Sequence, residues 1–474
     1  MSALVEFNAL SELPAGWAWK PLQSLTKNPR QDVVDGPFGS DLKASEYVSE
    51  GVPIARLQNI DRNAFVTKNI RFLTLEKAQD LARHEFKPDD ILITKLGDPL
   101  GKACIVPESI GRGVIVADLV RVRPDENQVD RRYLTYAINS PEIIKQFELH
   151  TKGTTRPRIN LSVLRQLPIP VAPREVQGEI VAEIEKQFSR LDEAVANLQR
   201  VKANLKRYKA AILKAAVEGR LVETEASLAH REGRSYETGN QLLQRILEQR
   251  RIQWAGRGKY KEPEFLTNVS RVDIPEGWTW ASLEQLHLQI ADVDHRMPKG
   301  QQDGVPYVST KDFLDDEGID FAGAKRISSE DYEALCRKVK PERGDVLLSR
   351  YGTVGEVRAV TVDSPFQASY SVAILKPVRE NFPVRFLIAA LRSEVVTAQI
   401  KRDVRATAQP DLGLAHIRKF VVPLPPIGEQ VRIVEELDRC LSVIREVEAE
   451  VAANLLRAHS LRKATLAKAF MKAD

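Results

Sequence analysis

Three stretches of this chain bring together residue types that often do chemistry. Gly97-Asp-Pro-Leu-Gly-Lys-Ala103 has the glycines and lysine of a phosphate-cradling loop. However, three residues separate the glycines where four are needed, and no Ser or Thr follows the lysine to hold magnesium. Pro88-Asp-Asp90 with Lys95 has the acid and lysine grouping of a nuclease, but the matching stretch later in the chain keeps Asp345 and Arg350 without a second carboxylate. His295 near Asp292 and Asp294 suits either a metal or a plain acidic loop. The seven histidines include no HExxH, and no serine is framed as GxSxG. Neither Asn-Pro-Pro-aromatic nor Asp-Pro-Pro-Tyr, which a DNA amino-methyltransferase uses to hold an extruded amino group, occurs. No catalytic or metal centre can be assembled, which points from reaction towards recognition.

Composition sets the remaining bounds. The 474 residues are 43% hydrophobic and 28% charged, the balance of a folded globular protein, and the net charge of +5 permits but does not prove nucleic-acid binding. Cys104, Cys336 and Cys440 are far apart with no CxxC pair, and read as inert thiols of a cytosolic protein. No segment reads as an export signal or a membrane span.

The elements that must position any binding residues occur twice. Pro170, Gln177, Ile184 and Leu191 recur as Pro423, Gln430, Leu437 and Ile444, each pair 253 positions apart. Pro14-Ala-Gly-Trp17 recurs as Pro275-Glu-Gly-Trp278. A framework kept while the loops diverge describes two similar modules holding different things. In the first, Val52 to Ile60, Ile91 to Leu96, Lys102 to Pro107 and Val114 to Arg123 read as strands, and Arg131 to Leu149 as a helix. In the second, Val305 to Thr310, Val346 to Tyr351, Val354 to Val362 and Tyr370 to Pro377 read as strands, and Arg385 to Asp403 as a helix. Most connections are too short for a parallel doubly wound sheet, so the predicted class is α+β.

A proline-rich strand closes each module and leads into a long helix. Residues 1–173 and 271–426 form the modules, 174–218 and 427–474 the helices, and 219–270 a link containing the helical stretch Gly239 to Trp254. The basic run Arg257-Gly-Lys-Tyr-Lys261 after it either tracks phosphates or is a solvated face. Ile184, Phe188, Leu191, Val195, Leu198, Leu205 and Ile212 follow four-three spacing, as do Leu437, Leu441, Ile444, Val451 and Leu455. A heptad sustained this long predicts a two-helix coiled coil. It is read as antiparallel, with pseudo-two-fold symmetry, because the returning chain from Val217 to Arg271 must supply only a link and a whole second module; a parallel pair, or two amphipathic helices each packed on its own module, are the alternatives.

These pieces together resemble the specificity subunits of type I restriction-modification systems. The resemblance rests on Leu13-Pro-Ala-Gly-Trp17 and Ile274-Pro-Glu-Gly-Trp278, the Asp35-Gly-Pro-Phe-Gly-Ser-Asp-Leu-Lys43 loop, and Gly153-Thr-Thr-Arg-Pro-Arg-Ile-Asn160. Further support comes from the proline-rich strands leading into helices and from Ala211-Ile-Leu-Lys-Ala-Ala-Val-Glu-Gly-Arg-Leu221. It implies two target-recognition domains on a split sequence of double-stranded DNA, spaced by the helices. It also implies two methyltransferase subunits using S-adenosylmethionine and translocating restriction subunits using ATP and magnesium, with no cofactor bound by this chain. Methyltransferase docking is expected on the outer helix faces around Glu183, Glu185 and Lys186 and at Lys214-Ala-Ala216. A coiled-coil adaptor whose modules bind protein is the rival reading. One departure stands out: Thr407-Ala-Gln-Pro-Asp-Leu-Gly413 replaces two arginines of the first module's loop.

Reading DNA needs paired donors and acceptors on fixed loops, chiefly Arg or Lys for guanine and Asn or Gln for adenine. The candidates are Arg56, Gln58, Asn59, Lys95, Arg156 and Arg158 in the first module. The second offers Lys311, Arg350, Tyr351, Arg405 and Gln409. Because the loops differ, the half-sites should differ. Four residues added to each helix, about 6 Å, should change the unread gap and leave both half-sites unchanged.

Overall fold

The computed structural model describes residues 10–39, 41–97, 99–151, 157–254, 259–264, 273–295, 297–314, 318–378, 383–404 and 410–471. The chain divides into two compact units. One comprises Met1–Arg200 with Val451–Asp474, and the other Val201–Glu450.

In the first unit, Val33–Asp35, Leu119–Val122, Ile91–Thr94 and Ala103–Ile105 form an antiparallel sheet in that order. A second sheet runs Arg71–Leu73, Val52–Ala55, Gly113–Ile115, Glu85–Phe86, and only its central pair is parallel. Strand Ala18–Pro21 pairs with Pro168–Val171, and the register places Trp19 opposite Pro170 and Pro21 opposite Pro168. Prolines lack an N–H, so this short ribbon can hold them without breaking a wider ladder. The second unit repeats the plan. His287–Ala291, Val372–Pro377, Val346–Ser349 and Val357–Ala359 form the antiparallel sheet, Lys325–Ile327, Val305–Val308 and Gln367–Ala368 the mixed one, and Thr279–Ser282 pairs with Val421–Leu424.

The predicted strands are present but shorter. Val114 to Arg123 is two strands, because residues 116 to 118 turn away to bond elsewhere. The single helix predicted over Arg131 to Leu149 is also two, Arg131–Ile138 and Pro141–Leu149. Pro141 cannot supply the N–H that would carry the first helix onward. Asn139, at the break, spends its side chain on the N–H and carbonyl of Ala103, at 3.0 and 2.8 Å. Val384–Arg392 and Glu394–Asp403 are likewise separate, split at Ser393, whose hydroxyl donates to the Ala390 carbonyl at 2.7 Å.

The repeated motifs have repeated geometry. Trp17 N donates to Pro14 O and Trp278 N to Pro275 O, both at 3.1 Å, over glycines at φ +83° and +82° that few other residues could occupy. Gln177 and Gln430 are buried at the starts of helices Arg174–Val217 and Ile427–Phe470. Their side-chain amides donate to the carbonyls of Ala172 and Pro425 at 2.9 and 2.8 Å, tying each ribbon to its helix.

Both long helices contribute to both units. In the first unit Ile184 and Phe188 join the module core together with Leu466 and Phe470 from the other helix. Arg462 lies 4.9 Å over the Phe188 ring and pairs with Asp192, so the start of one helix meets the end of the other. In the second unit Leu205 and Ile212 share a core with Leu437, Leu441 and Ile444, so there the end of the first helix meets the start of the last. Within each unit the segments therefore run antiparallel. Leu191, Val195, Leu198 and Leu455 are half-buried and Val451 is buried. The helices pair and also close the module cores.

Burial fixes two titratable groups. Cys104 is enclosed and its thiol is pushed up to about 12; Cys336 and Cys440 are half-buried, and all three are free. His287 is fully enclosed, its Nδ1 2.6 Å from the Leu283 carbonyl, and desolvation lowers its pKa to about 4. The folded state keeps this ring neutral, whereas the unfolded chain protonates near 6.5. Its stabilising contribution is thus complete above about pH 6.5 and is lost as the pH falls towards 4, by about 3 kcal/mol. Urea unfolding of the second unit should weaken over that window, and less steeply in His287→Phe.

Candidate nucleic-acid interface

In the first unit, loops from both sheets are stitched together at one edge. Strand Val33–Asp35 ends at Asp35, whose carboxylate accepts from Lys95 Nζ at 2.5 Å. Lys95 is the first residue past Ile91–Thr94. Its N–H donates to Asp118 O and its carbonyl accepts from Ile159 N, both at 2.9 Å. Leu96 and Arg158 form an antiparallel bridge, which holds Arg158 exposed, with no ion-pair partner among the described residues. Val116 N donates to Ala55 O at 3.1 Å, bringing in the turn that follows Val52–Ala55.

That turn, Leu57–Asn59, is closed by Asn59. This residue is fully buried; its Oδ1 accepts from Arg56 N at 3.1 Å and its Nδ2 donates to Val66 O at 2.8 Å. Asn59 was expected to read a base. The structure corrects this: its polar atoms are spent on the loop, which leaves Gln58 exposed at the crest. Arg56 is half-buried, donating to Asn69 O at 2.5 Å with its guanidinium 5.9 Å from the Tyr47 ring.

The second unit builds the same edge with different chemistry. Asp312 caps Thr310–Asp312 as Asn59 does, accepting from Ser309 N at 2.7 Å, and the exposed crest residue is Lys311. Arg350 takes the place of Lys95. It is only 5% exposed, and its guanidinium donates to Asp292 at 2.5 Å and to the Leu412 carbonyl at 3.0 Å, with Asp411 at 3.4 Å and the Tyr351 ring 4.4 Å away. The expectation that Arg350 meets DNA is therefore also corrected. A buried guanidinium with these partners is a strut, and half-buried Tyr351 packs on it.

The substituted loop now has a reason. Tyr351 bridges Asp411, as Leu96 bridges Arg158, and Gly352 N donates to Pro410 O at 3.2 Å. Where the first unit holds an exposed arginine, the second holds a carboxylate turned to Arg350. Arg156, Arg405 and Gln409 lie outside the described residues.

The near-miss motifs resolve as structure. Asp90 accepts from Arg123 at 2.9 Å and from Lys87 N at 2.9 Å, and Asp345 pairs with Lys376 at 2.6 Å. Lys338 sits between Asp292 and Asp294, 3.3 Å from each, and His295 stacks on Tyr370 at 5.1 Å. Among the described residues no group of three or more His, Cys, Asp or Glu could hold a metal ion. No described helix is long and apolar enough to cross a membrane. Of the proposed docking positions, Ala216 is fully buried in the second unit's core while Lys214 is exposed, and Glu185 accepts from Arg132 at 3.3 Å. Within the basic run, Tyr260 takes a hydrogen bond from buried Arg250 at 2.8 Å and packs on Trp254.

Sequence reasoning named Asp292 and His295 only as a metal or acidic-loop candidate, and Asp35 and Phe38 only within a motif; it missed that the two carboxylates hold the edges, because their partners Lys95 and Arg350 lie some sixty positions away.

The family model described as type I restriction modification DNA specificity domain matches residues 49–207 and 299–455, once in each half. The specificity subunit of the type I restriction enzyme EcoBI, from Escherichia coli, is 22% identical over 91% of this chain and 82% of its own length. That of EcoKI, from Escherichia coli strain K12, is 21% identical over 97% and 89%. A chain from a structure of complex assembly and conformational transition of the type I R-M system superposes with a TM-score of 0.61 at 18% identity, covering 97% of this chain and 99% of that one, a likeness of fold. With two matched domains, each bearing a stitched loop edge, the chain belongs to the type I restriction-modification DNA specificity family.

Proposed function

We propose that this chain is the DNA sequence-specificity subunit of a type I restriction-modification complex, each unit reading one half of an asymmetric bipartite target. One observation carries the reading: an equivalent capped turn and strand edge in both units presents Gln58 and Arg158 in one, Lys311 and an inward Asp411 in the other. Fixed scaffolds with different outward donors are what two unlike half-sites require. The chemistry falls to partners: methyltransferase subunits using S-adenosylmethionine, and restriction subunits using ATP and magnesium. This chain supplies no catalytic group and no cofactor, and it works in the cytoplasm.

Co-expression with the methyltransferase subunit, followed by mapping of methylated adenines, tests this. A single bipartite sequence is expected; methylation without sequence preference sinks the proposal. Gln58→Ala and Lys311→Ala should each relax one position in one half-site, by about 1–3 kcal/mol of discrimination. The other half should be unaffected in a bound-sequence selection. Arg158→Gln should instead lower the slope of log affinity against log salt by about 1 if the guanidinium meets a phosphate.

A further inference from the structure

We propose that Phe38 is a base-contacting residue of the first unit, its ring packing on a nucleobase of the target DNA. The inference rests on the DNA-reading function proposed above and assigns a hydrophobic contact within it.

Phe38 is 71% exposed, a large apolar ring held in water. Its loop is pinned at several points. The Asp35 carbonyl accepts from His84 Nδ1 at 2.6 Å, Gly36 N donates to Leu119 O at 3.2 Å, and Asp41 N donates to Phe38 O at 2.9 Å. Gly36 lets the loop lie close against the neighbouring backbone, since a Cβ there would lie 2.1 Å from the Val116 carbonyl. Pro37 fixes a further dihedral. The ring is thus presented by the framework.

Its position is the second argument. Phe38 stands three residues beyond Asp35, whose partner Lys95 adjoins the strand bridge holding exposed Arg158. A phenyl ring carries no charge or donor to offer the phosphate backbone of DNA. Against DNA it is suited to pack on a base face, as a wedge or stacking platform, or on a thymine methyl. In the second unit a ring occupies the corresponding place: His295, three residues beyond Asp292, is exposed and stacks on Tyr370. Two units that otherwise exchange their outward side chains both keep an aromatic group here.

The test uses the complex with methyltransferase subunits and a duplex carrying the mapped target. Phe38→Ala should weaken cognate binding by about 10- to 100-fold, leave non-specific binding and the salt slope unchanged, and preserve the thermal midpoint. Phe38→Leu should fall between. With 2-aminopurine placed along the first half-site, a rise in fluorescence that Phe38→Ala abolishes identifies the ring as a wedge that unstacks the labelled base from its neighbour. If instead uracil in place of one thymine reproduces the loss, the contact is the methyl group. Equal cognate affinity for wild type and Phe38→Ala overturns the proposal, as does an equal loss on unrelated DNA. So does lost co-purification with unchanged DNA affinity, which would make Phe38 a protein contact. Failure of the wild-type complex to prefer any sequence would instead refute the functional reading itself.

Discussion

Replacing Asp292 with alanine should cost the second unit about 3–5 kcal/mol and abolish its half-site preference, because it strands Arg350 in the interior. The Arg350 guanidinium is buried and Asp292 is its close carboxylate at 2.5 Å, while Asp411, more exposed and at 3.4 Å, cannot replace it. Losing the acid also removes one of the two carboxylates beside Lys338 and the one beside His295, so the stacking of His295 on Tyr370 should loosen with it. Asp35→Ala removes the counterpart acid in the first unit, but Lys95 is partly solvated and can turn to water, so the expected cost is about 1 kcal/mol. Pairing Asp292→Ala with Arg350→Met should recover much of the stability without restoring sequence preference. Urea unfolding and bound-sequence selection measure the two effects. A loss below 1 kcal/mol for Asp292→Ala would show that the strut is dispensable.

Phe470→Ala should destabilise the first unit by about 3–5 kcal/mol, although Tyr133, on which it packs, lies more than three hundred positions away in the chain. Phe470 is 2% exposed and meets the Tyr133 ring edge-on at 5.2 Å. Tyr133 in turn donates to Pro170 O at 2.9 Å and accepts from Ala172 N at 3.1 Å, so the cavity would open beside the ribbon that starts the first long helix. Leu461→Ala, on the same helix but exposed, should change stability by no more than about 0.5 kcal/mol. Hydrogen exchange in Ile91–Thr94 separates the outcomes: protection should fall in Phe470→Ala and hold in Leu461→Ala.

Local signals carried the framework. The heptad positions are buried or half-buried, and the recurrent Gln and Gly-Trp pairs have a hydrogen-bonding role at the same place in each unit, so their spacing survives where loop sequence does not. Helix breaks were missed because an apolar 3.6-residue rhythm continues through Asn139-Ser140 and outweighed the local stop signal of Pro141, while the bonds of Asn139 to the distant Ala103 backbone were not visible. The binding edge was half legible. Residue type marked Arg350 and Asn59 as readers, but whether a polar group faces outward depends on partners that only folding brings close. Gln58, Lys311 and Arg158 stay exposed, Gln58 with only a long 3.5 Å bond to the Asn69 carbonyl.

The first unit's membership in two separate stretches, Met1–Arg200 and Val451–Asp474, bears on its birth. As the ribosome releases the amino-terminal module, the pieces that seal it are still hundreds of codons away, so the nascent chain must wait with Tyr133 uncovered until translation reaches Leu466 and Phe470. Any premature stop in that interval would yield a product whose earliest-made part stays open, a ready substrate for proteases.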